Sequence, residues 1–314
     1  MNSKHTQLLS FLLILLFGSM TFKVQAQQDP MYSQYMFNGL AINPAYAGSK
    51  NYLTATFLHR NQWVDIKGAP KTNTLSLHSP LLLESSSVGV TLVHDRIGVT
   101  TRSDLYAAYA YRIKFDNDVK LAFGLRGGMT HYRIDFSQLT YWDLDDPIYN
   151  NGAQGGIAPN IGTGVYFQTR TFYAGLSIPN LLSYNPEESF SINAQGIPTT
   201  SRHYFATLGY AWEVAPKLVI KPSLLAKYES AAPFQLDLNL NLLLANRVWI
   251  GGSYRTKESI VGMVEFIPVP RFQIGYAYDY SISDLSAYTR GSHEIVLTLN
   301  LGSKVSKLKT PRYF

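Results

Sequence analysis

The sequence predicts an all-β fold: a transmembrane antiparallel β-barrel of about 14 strands, with an irregular segment ahead of the first strand. Three observations predict it. Apolar residues recur at period two along most of the chain, with polar residues on the alternate face. Charged residues make up only 15% of the 314, while tyrosines number 22 and phenylalanines 16. An exported soluble chain of this length ordinarily needs more surface charge, whereas a wall facing lipid does not. The connections also alternate between short and long, as the turns and loops of an outer-membrane barrel do.

Residues 1–26 come first. Lys4 precedes an apolar run over residues 8–17, and Val24-Gln25-Ala26 closes it. That is the layout of a secretory signal peptide, with cleavage expected before Gln27. The run is too short for a helix to cross about 30 Å of hydrocarbon. Cysteine is absent, so neither a lipidated cysteine nor a disulfide is available. Cleavage removes 26 of the 314 residues, leaving 288, and two lysines from the net charge of +6, leaving +4. So small and scattered a surplus makes no basic stripe, and no nucleic acid is expected as a partner.

Residues 27–50 form the irregular segment. Residues 28–49 read QDPMYSQYMFNGLAINPAYAGS, with no charge after Asp29, four aromatics, two prolines and two glycines. Proline and glycine at these positions break both the helical and the strand period. The segment precedes the first strand and is expected on the periplasmic side.

Residues 51–302 are expected to form the barrel, and 303–314 a basic C-terminal periplasmic tail. The clearest strand is 234–244, FQLDLNLNLLL, with Phe234, Leu236, Leu238, Leu240, Leu242 and Leu244 on one face. Gln235, Asp237, Asn239 and Asn241 take the other. Residues 119–126 and 292–301 repeat the pattern. Fourteen such segments centre near Thr56, Leu75, Thr91, Ala108, Leu125, Gly164 and Gly175, then Thr207, Ser223, Leu240, Gly251, Gly262, Tyr276 and Leu297. Lengths of about 8 to 14 residues suit tilted strands crossing a bilayer.

With the first strand starting in the periplasm, the even connections should be short. Expected short turns are 115–118, 169–171, 214–216, 245–247 and 268–270. Expected long outer loops are 62–70, 135–159, 179–201 and 281–291; the odd connections near Ser230 and Thr256 are short exceptions. A propeller would repeat a blade motif, and none recurs. A sandwich would need Greek-key crossovers, whereas these segments read as successive hairpins. Tyr111, Tyr132, Tyr173, Tyr210, Trp212, Tyr228, Trp249 and Tyr280 stand near strand ends, where an aromatic girdle is expected.

Catalytic chemistry finds little support. The histidines beyond the signal (His59, His78, His94, His131, His203 and His293) show no metal-ligand spacing, and no GxSxG occurs. They are expected to be polar strand-end or lumen residues, as against members of a barrel phospholipase site. Asp143, Asp145 and Asp146 lack the spacing and glycine of an EF-hand and read as a solvated acidic loop. Gly127-Gly128 and Gly162-Thr163-Gly164 read as bends or close approaches of another backbone, not as phosphate loops. Arg60, Arg112, Arg126, Arg255, Lys120, Lys221 and Lys227 are expected to line a wet lumen with Asp237, Asp279 and Glu294. No enzyme, metal or cofactor is expected.

The opening QDPMYSQYMFNGLAINPAYAGS resembles the mature N-terminal signature of the PorP/SprF family of Bacteroidetes outer-membrane proteins. The resemblance continues through RNQWVDIKGAPKT (60–72), HYFATLGYAW (203–212), WIGGSYR (249–255), IGYAYDY (274–280) and RGSHEIVL (290–297). It implies a component of the type IX secretion and gliding-motility machinery in the outer membrane. Implied partners are secreted proteins with a C-terminal sorting domain, such as adhesins, and periplasmic secretion-ring or peptidoglycan-binding components, besides outer-membrane lipid. Beside a secretion and anchoring scaffold stands a second reading, a porin-like solute channel. The candidate partner-binding or plug residues are Tyr32, Tyr35, Phe37, Asn43, Pro44 and Tyr46, with Arg60 and Trp63 from the second motif. Plug and docking surface remain open alternatives at this point.

Overall fold

The computed structural model describes residues 30–81, 85–136, 153–184, 192, 200–230 and 232–302. Fifteen strand segments follow one another in sequence. The first seven are β1 (Leu53–Asn61), β2 (Lys71–Pro80), β3 (Ser86–Ile97), β4 (Thr100–Lys114), β5 (Lys120–Asp135), β6 (Ala153–Gln168) and β7 (Phe172–Ile178). Next come β8 (His203–Tyr210), β9 (Trp212–Ala215), β10 (Leu218–Glu229) and β11 (Ala232–Leu244). The last are β12 (Val248–Arg255), β13 (Ser259–Val269), β14 (Phe272–Ser281) and β15 (Ser292–Leu301).

Except for β8 and β9, neighbours in sequence pair antiparallel, and β15 returns to pair with β1 from Leu53↔Leu301 to Asn61↔His293. The ring is closed, because β10 also pairs with β11, and among the described residues only the short β9 pairs on one side alone. β8 and β9 are two halves of one stave. Both pair with β10, and Ala211 interrupts them. Fifteen segments therefore make a barrel of 14 staves, one for each predicted segment.

Period two sets the two faces. Along β11, Leu238, Leu240 and Leu244 point outward while Asp237, Asn239 and Asn241 are buried inside. Most of the exposed large hydrophobics lie on the outer wall, where hydrocarbon replaces water. Left-handed residues close two of the short turns: Asn117-Asp118 between β4 and β5, and Ala245-Asn246 between β11 and β12. Successive positive φ angles supply the twist that tight hairpins need.

The structure corrects several boundaries. β6 begins at Ala153, so the expected loop 135–159 loses its last residues to a strand. Gly155, Gly156 and Pro159 read as loop residues, yet Asp135↔Ala153 through Met129↔Pro159 hold them in register with β5. A side chain at 155 would meet the Tyr132 carbonyl at 2.1 Å, so glycine there reflects close backbone approach. Val214 and Ala215 belong to β9, and Pro268 and Val269 to β13, which leaves turns shorter than expected.

The girdle is also corrected. Tyr111, Tyr210, Trp212, Tyr228 and Tyr280 face outward, but Tyr132, Tyr173 and Trp249 are buried in the lumen. Strand parity decides this; nearness to a strand end does not. The signal peptide, the acidic loop with Asp143, Asp145 and Asp146, and the tail 303–314 lie outside the described residues.

Candidate functional site

The lumen is occupied by residues 30–50. The segment forms three 3-10 turns, Tyr35–Phe37, Gly39–Ala41 and Pro44–Tyr46, and bonds wall residues along its length. It enters at the long-connection mouth, where Pro30 and Met31 border a cavity of about 410 Å³ beside Gln62, Trp63 and Thr256. It leaves at the opposite mouth, where Gly48 meets His78 and Arg112 near the far ends of β2 and β4. The segment therefore runs the depth of the barrel and does not remain at the periplasmic side.

The upper clamp is ionic. Arg60 and Glu294 face each other across the β1–β15 seam. Arg60 donates to Glu294 Oε2 at 3.1 Å and to Asp279 Oδ2 at 2.7 Å. Glu294 in turn accepts the backbone N–H of Ser33 at 2.9 Å and of Gln34 at 2.8 Å. Ser33 Oγ donates to Asp279 at 2.6 Å and accepts from Arg60 at 2.9 Å. Arg255 extends the network to Asp237 at 3.0 Å and Asp279 at 3.6 Å. Arg60 is 1% exposed and Glu294 0%, so these charges have left bulk water. Such charges persist only when paired and hydrogen-bonded, and the backbone of the segment supplies part of that bonding.

The middle is aromatic and apolar. Tyr32 exchanges a hydrogen bond with Thr74 at 2.8 Å, and Tyr35 accepts from Asn239 Nδ2 at 2.7 Å. Tyr32, Tyr35, Met36 and Ile42 pack with Leu58, Val261, Met263 and Val296 of the wall. Phe37 meets Trp249 with ring centres 6.3 Å apart, and the Lys221 ammonium stands 5.8 Å from Phe37 and 5.5 Å from Trp249. The buried lysine thus lies within cation–π range of both rings.

The lower seat is made by glycine. Asn43 Oδ1 accepts from the Ala45 N–H, with Pro44 at the first turn position, so Asn43 caps the third turn. Its Nδ2 reaches the wall carbonyls of Val165 at 3.0 Å and Leu176 at 3.4 Å. A Cβ on Gly124 would lie 2.2 Å from Ala45 N, and one on Gly164 would lie 2.2 Å from Asn43 Oδ1. Only glycine lets segment and wall approach this closely. Tyr46 packs edge-on against His78 and Tyr166. Arg112 then clasps the chain where it leaves, donating to Ala47 O at 2.8 Å and Gly48 O at 2.6 Å.

Of the eight expected site residues, Tyr32, Tyr35, Phe37, Asn43, Pro44, Tyr46 and Arg60 come together in the lumen. Trp63 stands apart. It is half-buried in the 62–70 connection, and its backbone N–H donates to Ser292 Oγ at 3.1 Å. His78 and His203 are buried, His203 against Glu229 at 2.8 Å, while His94 and His131 are on the outer face. Sequence reading missed Arg112, Asn239 and the glycine seat as partners of the segment. Inward parity marked those positions, but what they face lies far away along the chain.

A family model described as type IX secretion system membrane protein PorP/SprF matches residues 24–299. No curated protein matches the chain. Among solved structures, the chain is similar to the outer membrane protein Omp33 of Acinetobacter baumannii, at 9% identity and a TM-score of 0.47, over 81% of this chain and 100% of that one. It is similar to the toluene transporter TbuX of Ralstonia pickettii at 8% identity and a TM-score of 0.49, over 85% and 92%. A monoaromatic hydrocarbon channel, CymD, gives 13% identity and a TM-score of 0.45 over 86% and 92%.

Proposed function

The chain belongs to the PorP/SprF family of type IX secretion system membrane proteins, and on that premise we propose that it is a closed outer-membrane scaffold supporting export or surface anchoring of sorting-domain cargo such as adhesins. One observation carries the reading: the chain's own N-terminal segment fills the lumen and is held at both ends. A filled lumen favours work at the mouths and loops over passage of solute. Burial of Tyr35, only 2% exposed, and of Tyr46 supports the plug over the docking surface for these aromatics.

The long connections face the cell exterior in this reading, and the short turns face the periplasm, where secretion-ring or peptidoglycan-binding components would meet them. Cargo would engage the long-connection mouth. Deleting residues 29–49 is expected to leave a heat-modifiable barrel in the outer membrane and to abolish surface display of a sorting-domain cargo. Full display with the segment deleted would overturn the proposal.

A further inference from the structure

The outer wall of β1–β5 carries three rungs of different chemistry, each in direct cross-strand register. Phe57, Leu75, Leu92, Leu105 and Met129 form the first, an apolar row facing lipid. Two residues nearer the long-connection mouth stand His59, Asn73, His94, Ser103 and His131. Two residues further stand Asn61, Lys71, Arg96, Thr101 and Arg133. Successive rungs are about 7 Å apart along the strand, so the wall passes from hydrocarbon to hydrogen-bonding to cationic within about 14 Å.

The histidine rung is laced across strands. His59 Nδ1 bonds Asn73 Oδ1 at 2.9 Å, and His94 Nδ1 bonds Ser103 Oγ at 3.0 Å. Lys71, Arg96 and Arg133 are exposed above it. The opposite wall is different. At the same end, β10 and β12–β14 turn Tyr228, Tyr254, Ile260 and Tyr280 outward, and none of these positions is cationic. An ordinary aromatic girdle thus covers one wall, while the other replaces it with charge.

We propose that the β1–β5 wall binds a phosphorylated glycolipid of the lipid A class. Its acyl chains lie on the apolar rung, its sugar hydroxyls meet the histidine rung, and its phosphate oxygens accept from Lys71, Arg96 and Arg133. The warrant is position as well as charge. These cations stand one rung beyond the hydrogen-bonding belt of a lipid-facing surface, in the layer that headgroups occupy, where a cation costs little and meets an anion. Guanidinium groups suit the fork of phosphate oxygens. The row from Lys71 to Arg133 spans three strand spacings, about 14 Å, which fits a headgroup broader than a single phosphate. The choice of leaflet rests on the orientation proposed above; the binding itself does not.

The test is native mass spectrometry of the full-length protein in detergent micelles, titrated with lipid A and with its dephosphorylated form. Wild type should bind the phosphorylated form roughly tenfold more tightly, as paired charged groups at a lipid interface would give. Combined Lys71→Gln, Arg96→Gln and Arg133→Gln should erase that preference, while Lys257→Gln, at the other side of the mouth, should keep it. Arg96→Gln and Arg133→Gln singly should each weaken it, which keeps the test informative if the triple variant fails to assemble. Equal binding of both lipid forms by wild type, or a triple variant indistinguishable from it, would overturn the proposal. Displacement of lipid A by millimolar inorganic phosphate would assign the row to soluble anions and overturn the lipid. An inverted topology in thiol labelling would contradict the orientation and leave the binding result standing.

Discussion

Two kinds of residue hold the N-terminal segment, and each fails in its own way. Glu294 accepts two backbone N–H groups of the segment while pairing with Arg60. Glu294→Ala removes an acceptor from four buried donors, Ser33 N, Gln34 N, Gln34 Nε2 and Arg60, and loss of one partner from a buried pair costs about 3 kcal/mol. The expected outcome is a barrel with lowered denaturant resistance and a segment open to protease added to proteoliposomes. Unchanged protection would show that the clamp does not hold it. Gly124, facing the segment, and Gly127, on the outer face, make a contrast on β5. A Cβ at 124 enters the backbone of Ala45, while at 127 it meets nothing within 4 Å. Gly124→Val should displace the segment or cost about 1–3 kcal/mol as overpacking, and Gly127→Val should do neither. Protease protection and unfolding midpoints compare the two. Parity alone placed Arg60, Asp279 and Glu294 inside. What they bond was not legible, because Ser33 and Glu294 lie 261 residues apart and no local pattern links them.

Strands were legible because each must satisfy two solvents at once, and that requirement writes period two into the chain. All 14 predicted centres fall within staves of the barrel. Strand ends were less legible: β6 runs on through glycines and a proline, which lack the alternating side chains that announce a strand. Leu240 tests the lipid face. It is 52% exposed on the outer wall, and Leu240→Arg should cost roughly 2–4 kcal/mol on folding into vesicles. Its neighbour Asn239 is no neutral comparison, because it donates to Tyr35 and an arginine there would press on the segment. Leu240→Phe is the better control and should fold normally. For orientation, Lys67→Cys and Tyr288→Cys sit in long connections, and Asn117→Cys sits in a short turn; all three positions are exposed. An impermeant thiol reagent on whole cells should label the first two and spare the third. The reverse pattern would invert the proposed topology.

At the scale of the whole molecule, the closing seam of the ring and the seat of the segment share residues. Arg60 of the first strand and Glu294 of the last pair at the seam and jointly hold Ser33 and Gln34. From Pro30 at the mouth opposite the start of β1, the segment runs along the lumen to Gly48 at the mouth where β1 begins. The sequence showed an uncharged, irregular, aromatic stretch with no strand period and left two uses for it. Burial of Tyr32, Tyr35 and Tyr46 in the lumen favours closure, since aromatics offered to a partner would lie exposed. In the proposed function, this segment closes the barrel. Single-channel recording in planar bilayers tests it most directly, comparing the full chain with a variant lacking residues 30–49. Little conductance is expected from the full chain, and a stable, large conductance from the deletion variant. Equal, open conductance in both would contradict it.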